Sequence, residues 1–316
     1  MSAFTAPDGT QLAYHVVGEG EPLLCLPGGP MRASAYLGDL GGLSTHRRLV
    51  LLDLRGTGDS EVPADPASYR CDRQVADVEA LRAHLGLERV DLLAHSAAGD
   101  LALHYAARHP QRLRTLTMIT ARARALGVDF TVAHRREAAA LRTSEPWFAA
   151  ARDAFDALWA GTATDAQWDA AAPFFYGRWD AGARAHAAQE VAQTNESAGE
   201  LYASAGAFDP AATRAALAAL DAPVLLLAGE WDGGPLPRIT ATVAELLPHA
   251  EVAVQPAAGH FPWLDDPEWF SRTVAAFLAR VEPARVEPAR VEPARVEPAR
   301  VEPDRGATVH TGQGQG

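Results

Sequence analysis

The chain has 316 residues, and its 40 acidic against 28 basic side chains give a formal net charge of −12. An acidic balance of this size disfavours nucleic acid and anionic membranes as partners, so we expect a small-molecule or short-peptide substrate, and one that is neutral or cationic is easier to accommodate. The two cysteines, Cys25 and Cys71, are too few for a disulfide framework or a zinc site and indicate reduced thiols in a cytoplasmic protein. Neither a signal peptide nor a membrane span is predicted.

Short apolar runs alternate with amphipathic helical stretches along most of the chain. This alternation predicts an α/β fold with a mostly parallel sheet and helices on both of its faces. The runs are continuous rather than alternating, which is typical of strands that are covered on both sides. Asp8-Gly9 predicts a hairpin at the start, with antiparallel first strands. The predicted strands are 11–17, 22–26, 49–54, 90–94, 113–119, 224–228 and 251–254.

The pattern changes between the two halves of this predicted core, which are residues 1–122 and 221–280. Residues 123–220 read as alanine-rich helices with no clear strand, and we expect them to form a helical cap over the carboxyl ends of the sheet. Ligands bind at those ends in open α/β folds. From residue 281 the pentad Val-Glu-Pro-Ala-Arg occurs four times in succession. A proline at every fifth position forbids a regular helix, so a disordered tail is predicted for 281–316.

One segment, residues 94–98, predicts a nucleophilic serine. Ala94-His95-Ser96-Ala97-Ala98 ends an apolar run and precedes a helical stretch, which is the setting of a nucleophile elbow with the usual pattern G-x-S-x-G. Small residues are needed there because strand and helix backbones approach closely. Both glycine positions are alanine in this chain. Ser96 is therefore the candidate nucleophile, in an elbow that has alanine in place of both usual glycines.

A serine nucleophile needs a base and a carboxylate that orients the base. Asp232 follows the run at 224–228, and His260 follows the next predicted strand. Both therefore come after strands, in the order serine, acid, histidine that accompanies a nucleophile elbow. Glu230 is the alternative acid. Three other histidines lie too close to Ser96 along the strand and helix to serve as its base, and we interpret them as structural or solvent-facing: His95, His104 and His109.

The developing oxyanion needs N–H donors beside the serine. One candidate is the backbone N–H of Ala97, and the other is Gly29 in Pro27-Gly28-Gly29-Pro30, with Gly28 as second choice. The sequence contains neither a metal-ligand cluster nor a dinucleotide-binding glycine pattern, so no cofactor is expected.

Five motifs together resemble the α/β-hydrolase family: the elbow, the Gly-Gly-Pro loop, Asp-x-Arg-Gly-x-Gly-x-Ser at 53–60, Gly-Glu-x-Asp at 229–232 and Gly-His-Phe-Pro at 259–262. The resemblance covers residues 1 to about 280 and implies an α/β-hydrolase fold with an eight-stranded sheet and a helical cap insertion. It is strongest to the proline iminopeptidase branch, serine aminopeptidases that release an N-terminal residue. That branch usually has His-Gly-Gly-Pro-Gly where this chain has Pro27 and Met31 at the two ends.

In that branch acidic cap residues hold the free amine of the substrate, and the resemblance makes Glu196 and Glu200 the candidates here. The sequence therefore predicts a serine hydrolase that acts through Ser96, His260 and Asp232, with proline iminopeptidase-like activity on small peptides or amides. A small-molecule esterase or lactonase would need the same three residues without an amine-binding glutamate. A noncatalytic ligand-binding homologue is the alternative of another class.

Overall fold

The computed structural model describes residues 2–281. Val281 ends the last helix, and the rest of the predicted tail lies outside the described residues. Eight strands form one sheet. They are β1 Ser2–Thr5, β2 Gln11–Val17, β3 Pro22–Leu26, β4 Arg48–Leu52, β5 Val90–His95, β6 Leu113–Ile119, β7 Val224–Gly229 and β8 Ala250–Gln255.

The sheet has the order β1-β2-β4-β3-β5-β6-β7-β8. β1 pairs antiparallel with β2, and β2 pairs antiparallel with β4, whereas all remaining neighbours are parallel. The predicted eight-stranded, mostly parallel α/β sheet with an antiparallel start is thus confirmed. β1 is not among the predicted strands because its four residues bury only Phe4 and show no apolar run.

Helices cover both faces of the sheet. Outside the segment between β6 and β7 they are α1 Val75–His84, α2 Ala98–Arg108, α10 Pro237–Ala244, α11 Pro262–Asp265 and α12 Pro267–Val281. Successive residues of a strand point to opposite faces. Leu92 of β5 accordingly packs with the side that contains Leu101 of α2, and Leu93 packs with the side that contains Val274 of α12. β5 is buried at all six positions and lies between β3 and β6, so its carboxyl end is held at the centre of the sheet.

Residues 120–223, here called the inserted segment, connect β6 to β7 without adding a strand to the described sheet. Its helices are α3 Val132–Ala140, α4 Phe148–Ala160, α5 Asp165–Ala171, α6 Ala181–Ala187, α7 Glu190–Gln193, α8 Glu196–Tyr202 and α9 Pro210–Leu217. Short 3-10 helices occur at Ser34–Leu37, Leu43–Thr45, Pro66–Tyr69, Pro110–Arg112, Arg124–Leu126 and Ala172–Phe175.

The inserted segment packs in two different ways. Phe155 of α4 and Phe174 stack with ring centroids 4.2 Å apart, in a small cluster separate from the main core. Tyr202 of α8 and Leu217 of α9 instead belong to the main core beside α2. The first half of the segment is therefore held by its own aromatic packing, and the last part is held by the sheet domain. None of the helices in residues 2–281 is long and apolar enough to cross a lipid bilayer.

Candidate active site

Ser96 occupies a sharp turn between β5 and α2. Its φ of 53° lies in the left-handed region, which costs a residue with a Cβ atom about 1 kcal/mol or more. Two backbone hydrogen bonds hold this conformation. The Ser96 N–H donates to the carbonyl of Ile119 at 3.0 Å, and the Ser96 carbonyl accepts from the N–H of Arg122 at 2.9 Å. The turn is therefore fixed by the end of β6 and presents the serine at the carboxyl edge of the sheet.

The two alanines of the elbow fit without difficulty, and the closest approach falls on Gly99. Ala94 and Ala98 are fully buried. A Cβ atom placed on Gly99 would lie 2.3 Å from the carbonyl oxygen of Arg122 and 2.8 Å from the Cβ of Ala121. The position that cannot accept a side chain is therefore one residue beyond the second glycine of the G-x-S-x-G pattern.

The structure brings the three predicted catalytic residues into one hydrogen-bonded chain. The Nε2 atom of His260 lies 2.8 Å from the Oγ of Ser96, and its Nδ1 lies 2.9 Å and 3.0 Å from the two carboxylate oxygens of Asp232. Asp232 is fully buried, and its Oδ1 also accepts from the N–H of Gly234 at 2.7 Å. Since a carboxylate only accepts, the Nδ1 of His260 carries the proton, which leaves Nε2 free to accept from the serine hydroxyl.

Glu230, the alternative acid, has a different partner. Its Oε2 accepts from the backbone N–H of Ala257 at 2.7 Å, on the loop that leads to His260. It shapes that loop and makes no hydrogen bond with the imidazole.

The backbone of His260 is held from three sides. Its carbonyl oxygen accepts from the Nε2 of His95 at 2.9 Å and from the hydroxyl of Thr120 at 2.9 Å, and its N–H donates to the carbonyl of Phe175 at 2.7 Å. His95 therefore has the structural role predicted for it, and it is buried rather than solvent-facing. Nothing in the sequence singles out Thr120, because its role depends on the loop after β8 reaching the end of β6.

Tyr36 joins His95 to the loop Pro27-Gly28-Gly29-Pro30, here called the glycine loop. The Tyr36 hydroxyl accepts from the N–H of Gly28 at 2.7 Å and lies 2.6 Å from the Nδ1 of His95. Burial raises the pKa of Tyr36, and burial together with the neighbouring His260 holds the pKa of His95 well below its usual value. Both side chains are thus neutral near pH 7, and the hydroxyl donates to His95 Nδ1 while His95 Nε2 donates to the His260 carbonyl. This chain was not predicted from the sequence, since Tyr36 carries no motif.

The glycine loop lies directly against the elbow. A Cβ on Gly28 would meet the carbonyl oxygen of His95 at 2.7 Å and the Cβ of Ser96 at 2.8 Å, so only glycine fits there. The N–H of Gly28 is already used by Tyr36. In residues 2–281, the N–H groups of Gly29 and Ala97 donate to no protein acceptor. Of the two glycine donors considered, Gly29 is therefore the one left available for an oxyanion.

A cavity of about 210 Å³ opens beside Ser96 and His260. Its core side includes Gly29, Arg32, Tyr36 and His95. The inserted segment supplies the opposite side with Trp159, Trp168, Phe175, Tyr176 and Glu190. A mostly apolar cavity that is rich in aromatic side chains and has a few polar groups is the usual form of a small-molecule site.

The structure does not bring the predicted amine-binding residues to this cavity. Glu196 and Glu200 are exposed on α8, because that helix turns Ala198 and Tyr202 toward the core. The carboxylate that does line the cavity is Glu190, on α7. A lone acidic residue on a short helix carries no sequence signal that would select it from its neighbours.

One cluster in residues 2–281 has the composition of a metal site, namely His15, Asp53 and Asp59. The Nε2 atom of His15 lies 2.9 Å from Asp53 Oδ2, but the same carboxylate accepts from the backbone N–H groups of Ser34 and Asp59 and from the Ser34 hydroxyl. These hydrogen bonds explain why Asp53 can be buried, and they give its carboxylate the role of holding the surrounding loops in place.

One fold family combines this strand order with a serine turn after β5, an acid after β7 and a histidine after β8. The sequence matches the alpha/beta hydrolase fold family over residues 21–267. The chain belongs to the α/β-hydrolase family. Among curated relatives, this α/β-hydrolase is 27% identical over 286 residues to a putative 2-succinyl-6-hydroxy-2,4-cyclohexadiene-1-carboxylate synthase of Bacillus subtilis, covering 88% of this chain and 98% of the relative.

Proline iminopeptidases are also among the proteins similar to this α/β-hydrolase. The enzyme of Levilactobacillus brevis is 28% identical over 291 residues, which cover 85% of this chain and 93% of the relative. The crystal structure of proline iminopeptidase from Mycobacterium smegmatis superposes with a TM-score of 0.67 at 27% identity, covering 89% of this chain and 98% of that one. The predicted family and its proline iminopeptidase-like resemblance are confirmed, and the chain is a hydrolase.

Proposed function

We propose that this α/β-hydrolase is a serine hydrolase that cleaves small acyl substrates through a covalent acyl-enzyme. The observation that carries the proposal is the contact of 2.8 Å between Ser96 Oγ and His260 Nε2, with Asp232 on the other nitrogen of the ring. Ser96 and His260 line a cavity large enough for a small substrate, and Asp232 is buried behind the imidazole. This arrangement supports Ser96 as the nucleophile, His260 as the base and the cavity as the binding space.

In the proposed reaction Ser96 Oγ attacks the substrate carbonyl carbon while its proton passes to His260 Nε2. The negative charge moves to the carbonyl oxygen, where the N–H groups of Gly29 and Ala97 stabilise it. The tetrahedral intermediate then collapses, and His260 returns the proton to the leaving group. Water attacks the acyl-serine in the same way, with His260 again as base, and releases the carboxylic acid and free Ser96. Asp232 keeps the imidazole oriented throughout.

A fluorophosphonate probe tests this proposal directly, since it reacts only with an activated serine. We expect the wild-type protein and a Ser197→Ala control, whose changed residue is exposed on α8, to be labelled and to hydrolyse p-nitrophenyl acetate. The Ser96→Ala variant should neither be labelled nor hydrolyse the ester. Absence of labelling in the folded wild-type protein would overturn the proposal and favour a noncatalytic ligand-binding homologue.

A second candidate is an aminopeptidase that resembles proline iminopeptidase. It is favoured by Glu190, a half-exposed carboxylate in the cavity wall that could hold a substrate amine. In that case L-proline p-nitroanilide should be cleaved, and Glu190→Gln should lower kcat/KM for it while Glu200→Gln does not. Cleavage of p-nitrophenyl acetate alone would identify an esterase-type enzyme instead.

A further inference from the structure

Positively charged side chains outnumber negatively charged ones in the wall of the cavity. In residues 2–281, the arginine and carboxylate side chains that line it are Arg32, Arg122 and Glu190. Arg32 is 2% exposed, lies 3.8 Å from Glu190, and donates through Nε to the side-chain oxygen of Gln193 at 3.0 Å. Arg32 also donates to the carbonyl of His186 at 3.3 Å, so its guanidinium is already held by protein acceptors. Arg122 is the cavity arginine with fewer such partners next to Ser96.

Arg122 is fixed beside the serine turn but is weakly paired. Its backbone N–H donates to the carbonyl of Ser96, which sets its position relative to the nucleophile. Its side chain is 24% exposed, and its nearest carboxylate, Asp129, is 4.0 Å away. Asp129 is half exposed, and the same Oδ1 atom accepts from the backbone N–H of Phe130. An ion pair at this distance and exposure contributes little, so the guanidinium of Arg122 is available to a ligand.

A second arginine lies behind the same part of the wall. The guanidinium carbons of Arg122 and Arg135 lie 4.8 Å and 4.7 Å from the centroid of the Phe130 ring, and that of Arg135 also lies 3.2 Å from the ring centroid of Trp159. Both rings line the cavity. The Nε of Arg135 is buried without a hydrogen-bond partner in the described part of the chain. Burial and the charge of Arg122 lower the pKa of Arg135 to about 10, which still leaves it a cation at neutral pH.

We infer that the end of the cavity formed by Arg122, Phe130 and Trp159 binds a carboxylate of the substrate, so that the enzyme prefers acyl groups that end in a second, anionic carboxyl. This inference rests on the proposed serine hydrolase and names its substrate class. At this end Arg122 and Arg135 outnumber the half-exposed Asp129, because the buried Asp100, which also acts on Arg122, is paired with Arg124. A bound carboxylate would lower the repulsion between the two arginines. Arg122 supplies hydrogen-bond donors from the wall, and Arg135 adds its charge through the two rings.

The test compares three p-nitrophenyl esters of equal acyl length on the full chain: the hydrogen adipate, the hexanoate and the 6-aminohexanoate. The expected order of kcat/KM is adipate, then hexanoate, then aminohexanoate. We expect a preference of about tenfold or more for the carboxylate over the neutral ester, the usual size of one charge-assisted hydrogen bond. The preference should shrink when salt is added, because exposed charges are screened.

Variants assign the preference to residues. Arg122→Gln should reduce the ratio of adipate to hexanoate hydrolysis about tenfold, and Arg135→Gln should reduce it less, because its charge acts through the rings. Arg136→Gln is the matched control, since Arg136 lies on the same helix with its side chain 67% exposed and 3.7 Å from Asp156. It should keep the wild-type ratio. Circular dichroism and thermal melting check that each variant is folded.

The outcomes separate this inference from the proposed function. Hydrolysis that depends on Ser96 but shows no preference for the adipate ester, or a preference that Arg122→Gln leaves unchanged, overturns the inference alone. If none of the three esters is hydrolysed, fluorophosphonate labelling decides the proposed function, and ligand binding decides the inference. Ser96→Ala protein should then bind monomethyl adipate about tenfold more tightly than methyl hexanoate by calorimetry, and equal affinities would overturn it.

Discussion

The two sides of the cavity are built on different principles. On the core side, Ser96, His260 and Asp232 follow strands of one sheet, and each is held by hydrogen bonds to buried backbone or carboxylate groups. The inserted segment instead presents aromatic rings and charged side chains, among them the half-exposed Trp168 and Glu190. From this difference we expect the sheet to position the reacting groups and the inserted segment to determine which substrates reach them. The predictions below test this division.

The largest expected effect is on the core side. Asp232→Asn should lower kcat/KM for p-nitrophenyl acetate by about 10³- to 10⁴-fold, because an amide no longer holds His260 in the tautomer that accepts from Ser96. The matched control is Glu230→Gln, which changes the acid that contacts Ala257 rather than the imidazole. It should stay within about threefold of wild type. A larger loss in the Glu230 variant than in the Asp232 variant would contradict the assignment of the acid.

The elbow allows a stability test of the same side. Gly99→Ala should lower the free energy of unfolding by about 1 to 3 kcal/mol, because its Cβ would lie 2.3 Å from the backbone oxygen of Arg122, so that the backbone must shift. Ala98→Gly, one residue earlier, should cost only about 0.5 to 1 kcal/mol through helix flexibility. Urea denaturation of both variants measures the difference. Equal costs would show that the elbow does not depend on the close approach at Gly99.

Much of the core side could be predicted from the sequence, because its order along the chain mirrors its order in space. Ser96, Asp232 and His260 each follow an apolar run, and parallel strands bring such positions to one edge. Less of what the inserted segment contributes to the cavity could be predicted. The resemblance points to Glu196, but α8 turns Ala198 and Tyr202 toward the core and leaves Glu196 exposed. Arg122 was missed because its place in the wall depends on contacts with Phe130 that no local pattern encodes.

The smallest expected effect concerns His186, which connects the two sides. Its Nδ1 accepts from the Tyr176 hydroxyl at 2.7 Å, and its Nε2 donates to the carbonyl of Tyr36 at 3.2 Å. Both bonds require the neutral ring with its proton on Nε2. Burial, aided by the charge of Arg32, lowers the pKa of His186 to about 4, against about 6.5 in the unfolded chain.

The sign of the pH effect follows from these two values. Between pH 6.5 and pH 4 His186 is mostly protonated in the unfolded chain and mostly neutral in the folded protein. The free energy of unfolding therefore falls as the pH falls. We expect His186 to contribute about 1 kcal/mol of this loss by pH 5, since the ring is only partly buried. His186→Gln should flatten the dependence by that amount, whereas His46→Gln at the surface should not. Identical slopes in both variants would mean that His186 does not couple the inserted segment to the core through its neutral ring.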